Sequence, residues 1–216
     1  MSKIFLLTSL LFTTVAAAET GSSSMPMSYE ALMAAPLGTW AEYTTTMQGF
    51  TKPMVNRYSL VEKSKKRMTL EVEGSGPMGA MLMRMEFEPA GKDAWKLAHA
   101  RLSVNGGETK EWPVVTTNPP LKKGELLGEV IGKVTSVAVP AGSFDCQQFK
   151  KKVNQGNLNM VVNLWINDTV PPIGLVKQTD DTGKMVTVLT TTGKGAVAKM
   201  TSKPGKVETA KPAAKP

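Results

Sequence analysis

Residues 80–88 read AMLMRMEFE, and residues 67–73 read RMTLEVE. In the first stretch Met81, Met83, Met85 and Phe87 alternate with Leu82, Arg84, Glu86 and Glu88. In the second, Met68, Leu70 and Val72 alternate with Arg67, Thr69, Glu71 and Glu73. Successive side chains on a strand point to opposite faces, so each stretch has one apolar side and one polar side. A period of two over such lengths is the mark of a half-buried antiparallel strand. A third run sets Leu158, Met160, Val162, Leu164 and Ile166 against Asn159, Asn163 and Asn167, with Val161 and Trp165 interrupting the polar side.

Weaker alternation covers 40–47, 55–62, 94–104, 128–139, 144–153, 174–179 and 185–191. The connections are turn-like: Gly74-Ser75-Gly76-Pro77, Asn105-Gly106-Gly107, Asn154-Gln155-Gly156-Asn157 and Asp180-Asp181-Thr182-Gly183. No long helical period lies between strands, which excludes parallel βαβ units. Ser28 is a plausible N-cap for one short helix, YEALMAA at 29–35, stopped before Pro36 and Gly38. The pattern predicts a mainly all-β chain. Its body, residues 37–192, is expected to be one strongly curved antiparallel sheet of about ten strands, a half-barrel or barrel, which also protects its edges.

The flanks read differently. Met1-Ser2-Lys3 precedes an apolar run, IFLLTSLLFTTV at 4–15, then Ala16-Ala17-Ala18 and Glu19. This is the order of a cleaved export signal, expected to span 1–18. The run is too short for a membrane span, which needs about 20 residues. No cysteine follows the cleavage point, which disfavours a lipid anchor. Residues 19–36 are expected to be a linker and the short helix. Residues 193–216 hold six lysines against one acid, Glu208, and lose all alternation. They are expected to form a disordered Lys/Pro/Ala-rich tail. The export signal points to the periplasm, or to secretion.

The chain has 216 residues, 41% hydrophobic and 20% charged, with a formal net charge of +8. With +5 in the tail and Lys3 near the start, the rest of the chain carries only about +2. That is no nucleic-acid footprint. A single cysteine, Cys146, excludes an internal disulfide framework, and a single histidine, His99, removes most histidine-rich metal sites.

The segments VAVPAGSFDCQQFKKK and VNLWINDTVPPIGLVKQT carry a further pattern. Pro140, Ala141, Gly142 and Phe144 enter one strand; Trp165, then Val170, Pro171, Gly174, Leu175, Val176 and Lys177, lead through another. This resembles exported bacterial β-domains of unknown function, and Leu37-Gly38-Thr39-Trp40 is similar to their first strand. Those domains look like the curved half-barrels of the LolA/LolB lipoprotein-carrier type. The resemblance implies that fold and brings over no catalytic residue.

Met78, Met81, Met83 and Met85 are the most distinctive local series, with Phe87 continuing the row. Three uses are open. The thioethers fill irregular core space; or Met81, Met83, Met85 and Phe87 line a cavity for apolar ligands such as acyl chains; or the sulfurs hold Cu(I). Asp181-Thr182-Gly183 spells an aspartic-protease signature, but a lone copy between strands reads as a hairpin turn. Glu71 and Glu73, about 7 Å apart along one strand, read as a solvated exterior rather than a glycosidase pair. His99 has no nucleophile motif beside it. Cys146 beside Asp145 reads as a buried, unreactive thiol. No phosphate loop, CxxC or HExxH occurs. No cofactor, catalytic residue or metal site is expected, and no nucleic-acid partner. The expectation is a non-enzymatic exported protein that binds or carries an apolar or amphipathic ligand, a lipid or lipoprotein among them. Two alternatives stand beside it: an envelope protein whose basic tail contacts peptidoglycan or an anionic membrane, and Met-based Cu(I) binding.

Overall fold

The computed structural model describes residues 26–77, 79–112, 114, 120–125, 127–155 and 158–200. They form one helix, α1 (Tyr29–Ala34), and twelve strands: β1 (Trp40–Met47), β2 (Met54–Lys63), β3 (Met68–Gly76), β4 (Gly79–Pro89), β5 (Ala94–Val104), β6 (Lys110–Trp112), β7 (Leu121–Lys122), β8 (Glu129–Val139), β9 (Gly142–Gln155), β10 (Leu158–Ile166), β11 (Leu175–Asp180) and β12 (Met185–Gly193). The strands make one antiparallel sheet in the order β6-β5-β4-β3-β2-β1-β12-β11-β10-β9-β8, with β7 beside β5. The sheet curls without closing: among the described residues nothing pairs β6 with β8. The expected signal peptide at 1–18, Met78, the tip of the 154–157 turn and the tail beyond 200 lie outside the described residues.

The curved sheet expected from the alternation is the observed fold. Alternation alone does not mark β6 and β7, which are three and two residues long and have no period to show. The curl has a local cause. Register shifts between Glu42/Tyr43, Leu60/Glu62, Glu86/Phe87 and Trp165/Ile166 place bulges in alternate strand pairs across the sheet. Each bulge bends its strand and increases the twist.

The inner face holds the core. Tyr43 and Ala41 from β1, Tyr58 and Leu60 from β2, Leu70 and Val72 from β3, Leu164 from β10 and Leu189 from β12 belong to one buried cluster. Tyr43 and Tyr58 meet edge to face at 5.5 Å, and the Tyr43 hydroxyl donates to the Leu175 carbonyl at 2.9 Å. α1 closes one end of the curl. Ser28 caps it, its Oγ accepting from Ala31 N at 3.2 Å. Ser28 N donates to Ile173 O, Gly124 N donates to Glu30 Oε1, and Lys63 Nζ donates to the carbonyls of Met33 and Ala35. These anchors come from well-separated parts of the sheet, so the helix lies across its end, with Leu32 fully buried beneath.

Two expectations need correction here. Glu71 is not on a solvated exterior: it is 1% exposed, and Arg84 and Glu86 beside it are 4% and 6% exposed. The cover is residues 194–200, which were expected to open a disordered tail. β12 runs to Gly193, and the chain then crosses the outer face. Lys194 O accepts from Trp40 Nε1, Ala196 N donates to Gly38 O, and the backbone N–H groups of Lys199 and Met200 donate to Glu71. Lysine content gives no sign of this docking, but one carboxylate on β3, Glu71, partners its backbone.

A methionine-rich interior and a charged outer face

β4 carries three methionines, Met81, Met83 and Met85, from near its start to its middle. Met83, Met85 and Phe87 are buried in the shared core, 2%, 1% and 5% exposed. Met81, one alternation before them, is only half-buried. The register explains the grading. Met85 lies between Leu70 and Ala100, and Met83 between Val72 and Leu102, each in the middle of a row of apolar partners. Met81 faces Gly74 on one side and Val104, 48% exposed, on the other.

Met81 has company that sequence spacing does not reveal. Met47, Met54, Met160 and Met185 lie at the same end of the sheet, opposite α1, each on a different strand. Met47 and Met185 are direct cross-strand partners, and Met54 is paired with Thr45 one alternation away. Met54 packs over Gly76, where an added Cβ would come within 2.8 Å of its Cγ. Thioethers are soft and flexible, so this end of the interior is its most adaptable part. The content of 14 methionines in 216 residues was a signal of such a lining; the positions were not.

Among these methionines sits a polar group without a partner. Asn56 alternates with Met54 and Tyr58 on the inward side of β2 and is 2% exposed. Among the described residues neither its Oδ1 nor its Nδ2 has a hydrogen-bond partner. Its cross-strand neighbours are Tyr43 and Gly74, and Gly74 is in turn paired with Met81. Further along the same inner face, Trp112 Nε1 on β6 is also buried and has no partner among the described residues. Buried polar groups are normally satisfied, and each exception asks for a reason. The inward parity of Asn56 in M-V-N-R-Y was legible in the sequence. Its lack of partners was not.

The outer face is a charge ladder. Glu71, Arg84 and Arg101 are successive cross-strand partners on β3, β4 and β5, followed by Glu111 on β6. Arg84 pairs with Glu71 at 3.0 Å and with Glu86 at 3.1 Å, and Arg101 also pairs with Glu86. Burial works to raise the Glu86 carboxyl, but hydrogen bonds from Arg84 and Arg101 outweigh it and hold the group below its ordinary value. On the neighbouring row Arg57 pairs with Glu42 at 2.8 Å and lies over the Trp40 ring at 4.2 Å. A groove of about 460 Å³ runs along this row, lined by Val55, Arg57, Glu73, Leu82 and Ser103 among others.

The remaining candidates have plain structural roles. Asp180 to Gly183 make the β11–β12 turn, where Asp180 Oδ1 accepts from Met185 N at 2.8 Å and Thr182 donates to Asp180. His99 is exposed. Cys146 is 4% exposed, and burial first, then the neighbouring Asp145, pushes its thiol up to about 11. Pro140 and Ala141 form the β8–β9 turn, with Gly142 at φ +134°, and Lys177 reaches over the Trp165 ring of its cross-strand partner at 5.1 Å. Among the described residues no three His, Cys, Asp or Glu side chains come together as a metal site.

No family model matches the chain, and no curated protein matches it significantly. Three solved structures are similar to it. A protein of Bacteroides fragilis assigned as exported, with a YmcC-like fold, is 12% identical over 74% of this chain and 97% of its own, with a TM-score of 0.37. A protein of Parabacteroides distasonis assigned as a lipoprotein is 13% identical over 73% and 96%, with a TM-score of 0.37. A redesigned β-barrel, mFAP1, bound to DFHBI, is 12% identical over 76% and 97%, with a TM-score of 0.24. At these scores none of them assigns a family or a function, which rest on this chain's own residues.

Proposed function

We propose that the chain is an exported, non-enzymatic, periplasmic protein that binds an apolar or amphipathic ligand at the methionine-rich end of its curled sheet. The observation that carries this reading is Asn56. A buried amide with neither atom paired costs about 1–3 kcal/mol if it only packs. A ligand with an apolar chain and a polar group such as an ester, acid or amide satisfies both the amide and the flexible methionines around it. In this reading the half-buried Met81 receives the ligand first, and the buried Met54, Met83, Met85 and Phe87 pack behind it. The export reading rests on the opening segment, Lys3 followed by the apolar run and Ala16-Ala17-Ala18.

The test uses the full chain, exported and purified, with a fluorescent polyene fatty acid as probe and mass spectrometry for lipid that co-purifies. The expected result is saturable probe binding that Asn56→Leu weakens several-fold while raising thermal stability. Absence of both probe binding and bound lipid in the wild type rejects the reading.

A second reading rests on the charge of residues 193–216, six lysines against Glu208. Here the basic segment holds the protein to peptidoglycan or anionic lipid. Binding to anionic vesicles should then fall steeply with salt, as the Debye length shrinks from about 10 Å at 0.1 M to about 3 Å at 1 M. Salt-independent binding, or none, excludes it.

A further inference from the structure

The segment that crosses the outer face is held as a peptide ligand is held. Both oxygens of one carboxylate take two consecutive backbone N–H groups: Lys199 N donates to Glu71 Oε2 at 2.7 Å and Met200 N to Glu71 Oε1 at 3.0 Å. Arg84 Nη1 donates to the Met200 carbonyl at 3.2 Å. These three contacts read backbone, whatever the side chains. Two further contacts read sequence. Lys199 Nζ pairs with Glu73 Oε2 at 2.6 Å, and the Met200 side chain is buried, 5% exposed overall. Two residues before Lys199, Val197 is 73% exposed and unread.

We propose that Glu71, Glu73 and Arg84 form a recognition site for an extended peptide carrying a basic residue followed by an apolar one, and that residues 196–200 fill it in cis. The site is pre-organised. Glu71 and Arg84 are direct cross-strand partners, and Glu86 Oε1 holds the Arg84 Nε from the far side at 3.1 Å. Such charge-assisted contacts on a rigid sheet lose little freedom when a peptide arrives. The ladder continues behind it: Arg101, the cross-strand partner of Arg84, is 7% exposed and also pairs with Glu86. The occupant itself joins no strand ladder. It follows β12 through Gly193-Lys194-Gly195, with Gly195 at φ +85°, a conformation that suits glycine and turns the chain out of the ladder.

The experiment keeps the whole chain. A specific protease site is inserted between Lys194 and Gly195 and cut after folding. The freed C-terminal fragment should stay with the body through gel filtration and exchange with a labelled peptide of residues 196–201. Glu71→Gln should weaken retention about ten- to a hundredfold, the loss of hydrogen bonds to a charged acceptor. A peptide with Lys199→Glu should fail on the wild type and bind to Glu73→Lys. Amide exchange on the uncut chain gives a second reading: Lys199 and Met200 should be protected in the wild type and unprotected in Glu71→Gln, with core strands unchanged in both. The proposal falls if the wild type releases the fragment as fast as Glu71→Gln does. It falls equally if Lys199→Glu binds as well as the natural sequence, or if both amides exchange at free-peptide rates in the uncut wild type.

Discussion

Met85 and Met81 share a strand and a face, yet differ in what their removal should cost. Met85 is 1% exposed between Leu70 and Ala100, so Met85→Ala should lower unfolding free energy by about 2–5 kcal/mol through lost burial and a cavity. Met81 is half-buried beside Gly74, and Met81→Ala should cost roughly 1 kcal/mol or less. Urea titrations of the two variants check the ordering; equal losses would mean that Met81 is packed as tightly as Met85. Cys146 gives a second residue-scale check. Its thiol stays protonated far above neutrality, so a disulfide reagent should react slowly at pH 8 and completely in denaturant. Prompt reaction in the folded protein would show that β9 opens locally.

At the scale of elements, the strands were legible because one face of each meets the core and the other does not. β1, β5 and β10 have the bounds that their alternation implies. Glu71 shows where this ends. Its parity on β3 was readable, but a polar side reads the same whether water or another segment covers it. The cover, Lys199 and Met200, lies 128 and 129 residues further along the chain. The methionine-rich end was hidden for the same reason: strand pairing, not sequence, brings Met47 to Met185. α1 was visible through Ser28, but not its docking on Gly174. Gly174 sits at φ +80°, and an added Cβ would lie 3.0 Å from the Ser28 Cβ and 3.1 Å from the Ala31 Cβ. Gly174→Ala should therefore cost at least about 1 kcal/mol by strain and by pushing α1 off the sheet end. Amide exchange should show the loss first in α1. An unchanged α1 would mean that the helix docks without this contact.

For the whole molecule, one face is an oily interior and the other a web of ion pairs, and the two respond to pH in opposite directions. On the alkaline side, burial raises Tyr58 to about 12 and, with the charge of Asp145, Cys146 to about 11. These groups stay neutral in the fold while the unfolded chain ionises near 10.0 and 9.0, so stability is full below those values and falls as pH rises through the folded ones. On the acid side Glu86 governs. Its folded carboxyl lies below the ordinary 4.5 because the hydrogen bonds and charges of Arg84 and Arg101 outweigh burial. A lowered carboxylate contributes stability that is present above the unfolded value and lost as pH falls through the folded one. Removing it also leaves two buried guanidinium groups, 4% and 7% exposed, short of an anion. Glu86→Gln should thus be clearly less stable than wild type at pH 7. The gap should narrow as pH drops below about 4.5, since the wild-type carboxyl then takes up the proton that the amide mimics. Urea titrations of both proteins from pH 7 down to pH 3 would measure it. A gap that stays constant across that range would show that the Glu86 charge contributes nothing to holding the outer face together.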